Sequence, residues 1–117
     1  MRSSRGERKI FDILREHGVP FQEEYEFPDL ISTSGRRLRF DFAVFKEGKI
    51  DFLIEFQGRQ HYTSVSKFGG ERAAQRQRYN DVLKRQYCLK NNICLVSIPF
   101  WDEDKITYEY IMRAAGY

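Results

Sequence analysis

Two stretches rich in aromatic and branched residues each carry an acid in the middle. Asp41 stands between Phe40 and Phe42, and Glu55 between Ile54 and Phe56. A carboxylate beside an apolar core is costly unless it is paired or holds a metal ion. If the two stretches are neighbouring strands, Asp41 and Glu55 approach each other on one face. Glu7 lies three, four and seven residues before Ile10, Phe11 and Leu14, so a helix there points its carboxylate inward. Three acids from one helix and two strands suit a hard divalent cation. Mg²⁺ binds through a few carboxylates, waters and phosphate oxygens, and Mn²⁺ should substitute. Such an ion activates water and neutralises charge developing on a phosphate. The plainer alternative is that Asp41 and Asp51 face solvent from an edge strand and that Glu7 only completes a helix cap.

The second acidic strand ends in Gln57-Gly58-Arg59-Gln60-His61-Tyr62. Gln57, two residues on from Glu55, should point the same way. His61 could enter the site from the following loop as a general base, a phosphate contact or a leaving-group acid.

The elements that must hold these residues can be read along the chain. Ser4 and Glu7 have the spacing of a capping box, and Gly18-Val19-Pro20 stops the helix that follows, which gives a first helix from about Arg5 to His17. Phe21 to Phe27 reads as a short edge strand and Pro28 to Arg37 as a polar loop turning at Ser34-Gly35. Leu38–Phe45 and Ile50–Gln57 form a hairpin across Lys46-Glu47-Gly48-Lys49. Alternation then puts Phe40, Phe42 and Val44 on one face of the first strand and Arg39, Asp41 and Ala43 on the other. Gly58 to Gly70 is loop-like. A long basic helix follows from about Glu71 to Asn91, with an apolar stripe of Tyr79, Val82, Leu83 and Gln86–Tyr87. Ile93 to Ile98 is a fourth strand stopped by Pro99, and Asp104 to Ala115 a last helix. The order is α-β-β-β-α-β-α, in the α/β class.

With 117 residues the chain is expected to be one domain, 1–117. Hydrophobic residues make up 41% and aromatic residues 15%, too much apolar material for a disordered chain. No run approaches the roughly 18 apolar residues of a membrane helix, and the first residues lack the apolar core of a secretory signal. Cys88 and Cys94 are too few for a disulfide scaffold and read as reduced thiols in a cytoplasmic protein. The net charge of +3 is small but segregated. Residues 67–90 carry Lys67, Arg72, Arg76, Arg78, Lys84, Arg85 and Lys90 against Glu71 and Asp81, and Arg36, Arg37 and Arg39 cluster, while acids gather at 23–29 and 102–104. A segregated basic surface suits a polyanion; a solvated helix face is the alternative.

Taken together, Arg39-Phe40-Asp41-Phe42, Ile54-Glu55-Phe56-Gln57-Gly58-Arg59-Gln60-His61-Tyr62 and Tyr79-Asn80-Asp81-Val82-Leu83-Lys84 resemble the PD-(D/E)XK nuclease superfamily. The nearest likeness is to its small branch near the very-short-patch-repair and phage homing-type endonucleases, and it spans about Gly6 to Pro99. The resemblance implies a restriction-endonuclease-like mixed sheet flanked by helices, Mg²⁺ dependence and hydrolysis of DNA phosphodiesters. It makes Asp41 the first acid, although Phe40 stands where the pattern has proline, and Glu55 the second. Gln57 occupies the usual lysine position. Glu7 matches the first-helix acid and His61 the branch's histidine. Asp81 and Lys84 match a helix motif as supporting or DNA-facing groups.

The expectation is therefore a metal-dependent DNA endonuclease. Asp41, Glu55 and Glu7 would hold metal, and Gln57 or His61 would position the nucleophile. Arg36, Arg37, Arg39, Arg76 and Lys84 would grip phosphates. Two other readings stay open. One is a catalytically inactive DNA-binding module of the same fold, which Gln57 in place of lysine favours. The other is a junction-resolving enzyme, which needs a homodimer with two sites.

Overall fold

The computed structural model describes residues 4–58 and 70–117. Helix α1 (Arg5–Glu16) leads into strands β1 (Phe21–Ile31), β2 (Arg37–Lys46) and β3 (Lys49–Gln57). Helix α2 (Gly70–Lys90), strand β4 (Cys94–Pro99), a 3-10 helix (Phe100–Lys105) and helix α3 (Tyr108–Ala114) complete the chain. The four strands form one mixed sheet in the order β1-β2-β3-β4. The first three are antiparallel neighbours, and β4 runs parallel to β3. Helices cover both faces, so the fold is α/β. Among the described residues, no helix is long and apolar enough to cross a membrane.

Local chemistry accounts for the element ends. The Ser4 hydroxyl accepts the Glu7 N–H at 3.1 Å and caps α1. The hairpin between β2 and β3 turns on Glu47 (φ 52°) and Gly48 (φ 77°), with Lys46 paired to Lys49. Two positive φ values in a two-residue loop match the twist of the flanking strands, so the connection is tighter than the four residues suggested by sequence. Strand β1 is longer than the expected Phe21–Phe27. It runs through Pro28 to Ile31, and only Ser32 to Arg36 turns. Proline, lacking an N–H, is tolerated because β1 is an edge strand, and the β1–β2 register shifts between Glu26 and Ile31.

The core has two clusters, one on each side of the sheet. Ile10 and Leu14 of α1 pack with Phe42, Phe52 and Ile54 on one side. Leu38, Phe40, Ala43, Leu53 and Cys88 of α2 pack on the other. Phe40 and Phe42 therefore lie on opposite faces, which corrects the shared face expected from strict alternation. The register pairs Glu23 with Phe42 and Tyr25 with Phe40, leaving Glu24 opposite Asp41. Glu24 has φ 50°, and at this point the paired strands change sides. Phe21 contacts Phe42 on the α1 side, and Phe27 contacts Phe40 on the α2 side. Irregularities of this kind re-aim side chains, and the one re-aimed here is Asp41.

The expected stripe of α2 holds in part. Leu83 and Tyr87 pack against the core and Val82 is half-buried, but Tyr79 and Gln86 are exposed; Ala74 and Cys88 are buried, and Gln77, Asp81 and Lys84 are half-buried. The inward residues 74, 77, 81, 84 and 88 keep helical spacing, but three of the five are polar. This helix presents hydrogen-bonding groups, not only apolar ones, to the sheet.

Candidate functional site

The β2–β3 ladder last pairs Phe42 with Ile54. One residue further along each strand stand Asp41 and Glu55. Asp41 Oδ2 accepts the Phe56 N–H at 2.7 Å, so a carboxylate takes the place of a ladder partner. Gly6 lets α1 approach from the other side. A Cβ on Gly6 would lie 2.3–2.6 Å from Phe56 ring atoms, so only glycine lets the first turn, with Glu7 next in line, close over the end of β3.

Glu55 is the one buried charged residue among those described, at 5% exposure. Lys84 Nζ donates to its Oε1 at 3.1 Å and its Oε2 at 3.3 Å. The same ammonium lies 5.5 Å from the centre of the Phe40 ring. The pair is nearly dry: the two side chains are 14% and 7% exposed. Burial pushes the Glu55 carboxyl up, and Lys84 opposes it. Asp41 is pushed up to about 8, first by burial and then by the charges of Glu55 and Glu7, against the Phe56 N–H and Lys84.

Glu7, Asp41, Glu55, Asp81 and Lys84, with Gln77 and Asn80, line one open cavity of about 290 Å³. A second of about 470 Å³ shares Glu7, Asp41 and Lys84 and extends along the β1–β2 wall past Glu23, Glu24, Arg37 and Arg39. Glu7, Asp41 and Glu55 thus share one cavity. Even so, no group of three or more Asp, Glu, His or Cys side chains among the described residues is close enough to hold a metal ion. Gln57, half-buried opposite Pro99, is in neither lining. His61 lies outside the described residues.

The phosphate-gripping candidates divide. Arg76 is exposed on α2 and Arg36 on the turn. Arg39 pairs with Glu24 at 2.7 Å and Arg37 with Glu26 at 3.8 Å, so charges segregated along the sequence are interleaved in space across the β1–β2 pair. Lys84 faces inward, to Glu55, rather than outward. The sequence left it either a supporting or a DNA-facing part, and the signal for an inward one is its helical spacing from Ala74, Gln77, Asp81 and Cys88. The Phe56 N–H had no sequence signal.

No family model matches the chain, and no solved structure matches it. Over its whole length it is 32% identical to "Uncharacterized protein 307L" of Invertebrate iridescent virus 6, covering 67% of that protein. This chain belongs to the 307L family. Within the wider comparison, 61% of it is 43% identical to "Uncharacterized protein 094L" of Frog virus 3, and 40% of it is 38% identical to "Uncharacterized protein 033L" of Invertebrate iridescent virus 3. It spans 45% and 25% of those two proteins, so the 307L-family domain described here is one part of longer relatives.

Proposed function

We propose that this chain is a metal-dependent DNA endonuclease domain of the restriction-endonuclease-like, PD-(D/E)XK kind. The observation that carries the reading is the dry Glu55–Lys84 pair beside Asp41, at the point where β2 and β3 part. Gln57 cannot supply the positive charge that a lysine at its position would bring. Lys84, arriving from α2 instead, supplies an ammonium at the same carboxylate. The element order α-β-β-β-α-β with a mixed sheet agrees with the reading.

The donor set suits a hard cation. Asp41 is pushed up by burial and like charge, and Glu55 by burial; an added positive charge would relieve both. Asp41 and Glu55 would hold Mg²⁺ or Mn²⁺, with Glu7 across the same cavity. When bound, the ion would neutralise phosphate charge and make water more acidic. The chain's own residues do the rest. In hydrolysis a water oxygen bonds to phosphorus, one P–O ester bond breaks, the water's proton passes to a carboxylate or solvent, and the leaving oxygen takes up a proton. The Lys84 ammonium favours the negative charge that accumulates on the phosphoryl oxygens. Phe56 N–H keeps Asp41 oriented. Arg36 and Arg76 are exposed and would contact phosphates without reading sequence.

The test is supercoiled plasmid incubated with the purified protein and Mg²⁺, Mn²⁺ or EDTA. Nicked or linear product with either ion, lost in EDTA and in Asp41→Asn, supports the reading; intact plasmid under every condition rejects it. A second reading, an inactive DNA-binding module of the same fold, is favoured by one feature: Lys84 already neutralises Glu55. It predicts salt-sensitive DNA binding without cleavage.

A further inference from the structure

Three described residues other than glycine have a positive φ: Glu24 (50°), Glu47 (52°) and Asn92 (60°). Glu47 lies in the β2–β3 turn and Asn92 in the turn between α2 and β4, where such values are ordinary. Glu24 alone of the three lies inside a strand. The left-handed region is strained for any residue with a Cβ, and glycine would occupy it at no steric cost. A residue held there by its surroundings points to a functional reason.

The ladder shows what this conformation does. Strands β1 and β2 pair Glu23 with Phe42 and Tyr25 with Phe40 in one continuous register, and skip Glu24 and Asp41. Phe21, Phe42 and Val44 pack on the α1 side of the sheet; Tyr25, Phe27, Leu38 and Phe40 pack on the α2 side. Both strands therefore turn over by one face at Glu24 and Asp41, with no residue gained or lost. Without the turnover, Phe40 would share the α1 face with Phe42. Continuing the Phe42–Ile54 register puts Phe40 beside Phe56, under the first turn of α1, where Gly6 is already pressed on the Phe56 ring and Glu7 lines the cavity. The turnover instead carries the Phe40 ring to the Lys84 side, 5.5 Å from the ammonium. It leaves Asp41 between the two faces, where its Oδ2 accepts the Phe56 N–H at 2.7 Å. Arg39 Nη1 donates to Glu24 Oε1 at 2.7 Å, and both residues line the larger cavity with Asp41.

From this arrangement we infer that Glu24 is a positioning residue for Asp41: its left-handed backbone turns the β1–β2 ladder over, clears Phe40 from beneath Glu7 and delivers the Asp41 carboxylate to the cavity. The catalytic value of that placement rests on the nuclease reading and deepens it. The placement itself is read at the Phe56 amide, which needs no activity. The residue acts through its backbone, so the substitution that preserves the role is glycine. Isoleucine is β-branched, resists positive φ and favours regular strand. Glycine also removes the bond to Arg39, so a glycine variant that keeps Asp41 in place assigns the role to the backbone and not to the carboxylate.

The experiment compares parent, Glu24→Gly and Glu24→Ile by amide hydrogen exchange in EDTA and by plasmid cleavage in Mg²⁺. The Phe56 amide should stay protected in the parent and in Glu24→Gly. In Glu24→Ile it should exchange about tenfold or more faster, the scale of one lost hydrogen bond to a charged group, while the Ile54 amide is unchanged. Cleavage by Glu24→Ile should fall about 100-fold in kcat below Glu24→Gly, as expected for a misplaced reacting group, with KM within about threefold. Parent-like Phe56 protection in Glu24→Ile overturns the inference, as does loss of protection in Glu24→Gly. If Glu24→Ile does not fold, Glu24→Gly decides: a higher melting temperature with Phe56 still protected upholds the inference, and a lower one overturns it. Faster Phe56 exchange in Glu24→Ile with no cleavage by any of the three removes the nuclease reading only. Equal cleavage by all three with equal Phe56 exchange removes the positioning role only.

Discussion

The two faces of the sheet are built to different ends by the same strands. On the α1 side, β3 contributes Phe52, Ile54 and Phe56 to a closed apolar layer with Ile10, Leu14 and Ile98. On the α2 side, the alternate residues are Leu53 and then Glu55, and the helix answers with Cys88 and then Lys84. Moving along β3, the α2 face goes from apolar to ionic within two residues, while the α1 face stays apolar throughout. A buried ion pair contributes little net stability compared with apolar residues of the same volume. The apolar clusters of both faces therefore carry the fold, and the ionic end of the α2 face is kept at a cost in stability. That division is what a site built on a scaffold requires, and it can be tested one face at a time.

The largest effect should come from the ionic face, and on cleavage rather than folding. Asp41→Asn and Glu55→Gln keep volume and hydrogen-bonding capacity but remove the charge. If the nuclease reading holds, each should lower plasmid cleavage by about 10²- to 10³-fold, the scale of losing a main electrostatic group, with the circular dichroism spectrum unchanged. A parent-like rate in either variant would remove that acid from the site. On the closed face the contrast is a stability loss: Phe52→Ala should cost about 3–5 kcal/mol by denaturant titration.

Next in size is the pair itself. Lys84→Met leaves Glu55 buried without a partner and should destabilise by about 3–5 kcal/mol. The double variant Lys84→Met with Glu55→Gln leaves no buried charge and should recover most of that. A double variant as unstable as the sum of the two singles would mean that the residues do not interact.

A smaller effect tests how the closed face positions the ionic one. Gly6→Ala would ordinarily stabilise a helix by about 1 kcal/mol. Here the new Cβ meets the Phe56 ring at 2.3–2.6 Å, and overpacking of that kind costs about 1–3 kcal/mol. The net change should be a modest loss of stability, together with weaker cleavage as α1 and Glu7 move off the cavity. A gain in thermal stability would show that α1 is not pressed against β3.

These contrasts also explain what the sequence made legible. The hairpin was readable because Glu47-Gly48 fits a tight turn and both flanking runs are strand-like. Asp41 and Glu55 stood out because acids are costly in such runs. The face change at Glu24 and Asp41 was hidden, because a positive φ at a glutamate has no signature in residue type. Lys84 was hard to place because a lysine in a basic helix looks solvated. Its role follows from the inward stripe through Ala74 and Cys88, which the more apolar Tyr79–Val82–Leu83 run masks. Pro28 suggested a loop, but an edge strand accommodates proline.

The smallest effect is on pH dependence. In the unfolded chain Asp41 should ionise near the reference value of 3.8, whereas in the fold it is pushed up to about 8 by burial, Glu55 and Glu7, with Lys84 and the Phe56 N–H opposing. Between those values the folded protein holds a proton that the unfolded chain has released. Stability from this group is therefore complete below about pH 4 and is lost as pH rises toward 8. Glu55 is shifted in the same direction. Tyr87, Tyr110 and Cys88, pushed up to about 12, 12 and 11, ionise above this window. In EDTA, the melting temperature should be lower at pH 8.5 than at pH 5.5, the sign fixed by the raised Asp41 carboxyl. Asp41→Asn cannot ionise, so it should flatten the slope and melt above the parent at pH 8.5. A divalent ion that binds the ionised carboxylates stabilises by mass action, so Mg²⁺ should raise the parent's melting temperature more at pH 8.5 than at pH 5.5, and should do little for Asp41→Asn. A parent whose stability rises with pH across this window, or a variant with the same slope as the parent, would show that Asp41 is ionised and already satisfied in the metal-free fold.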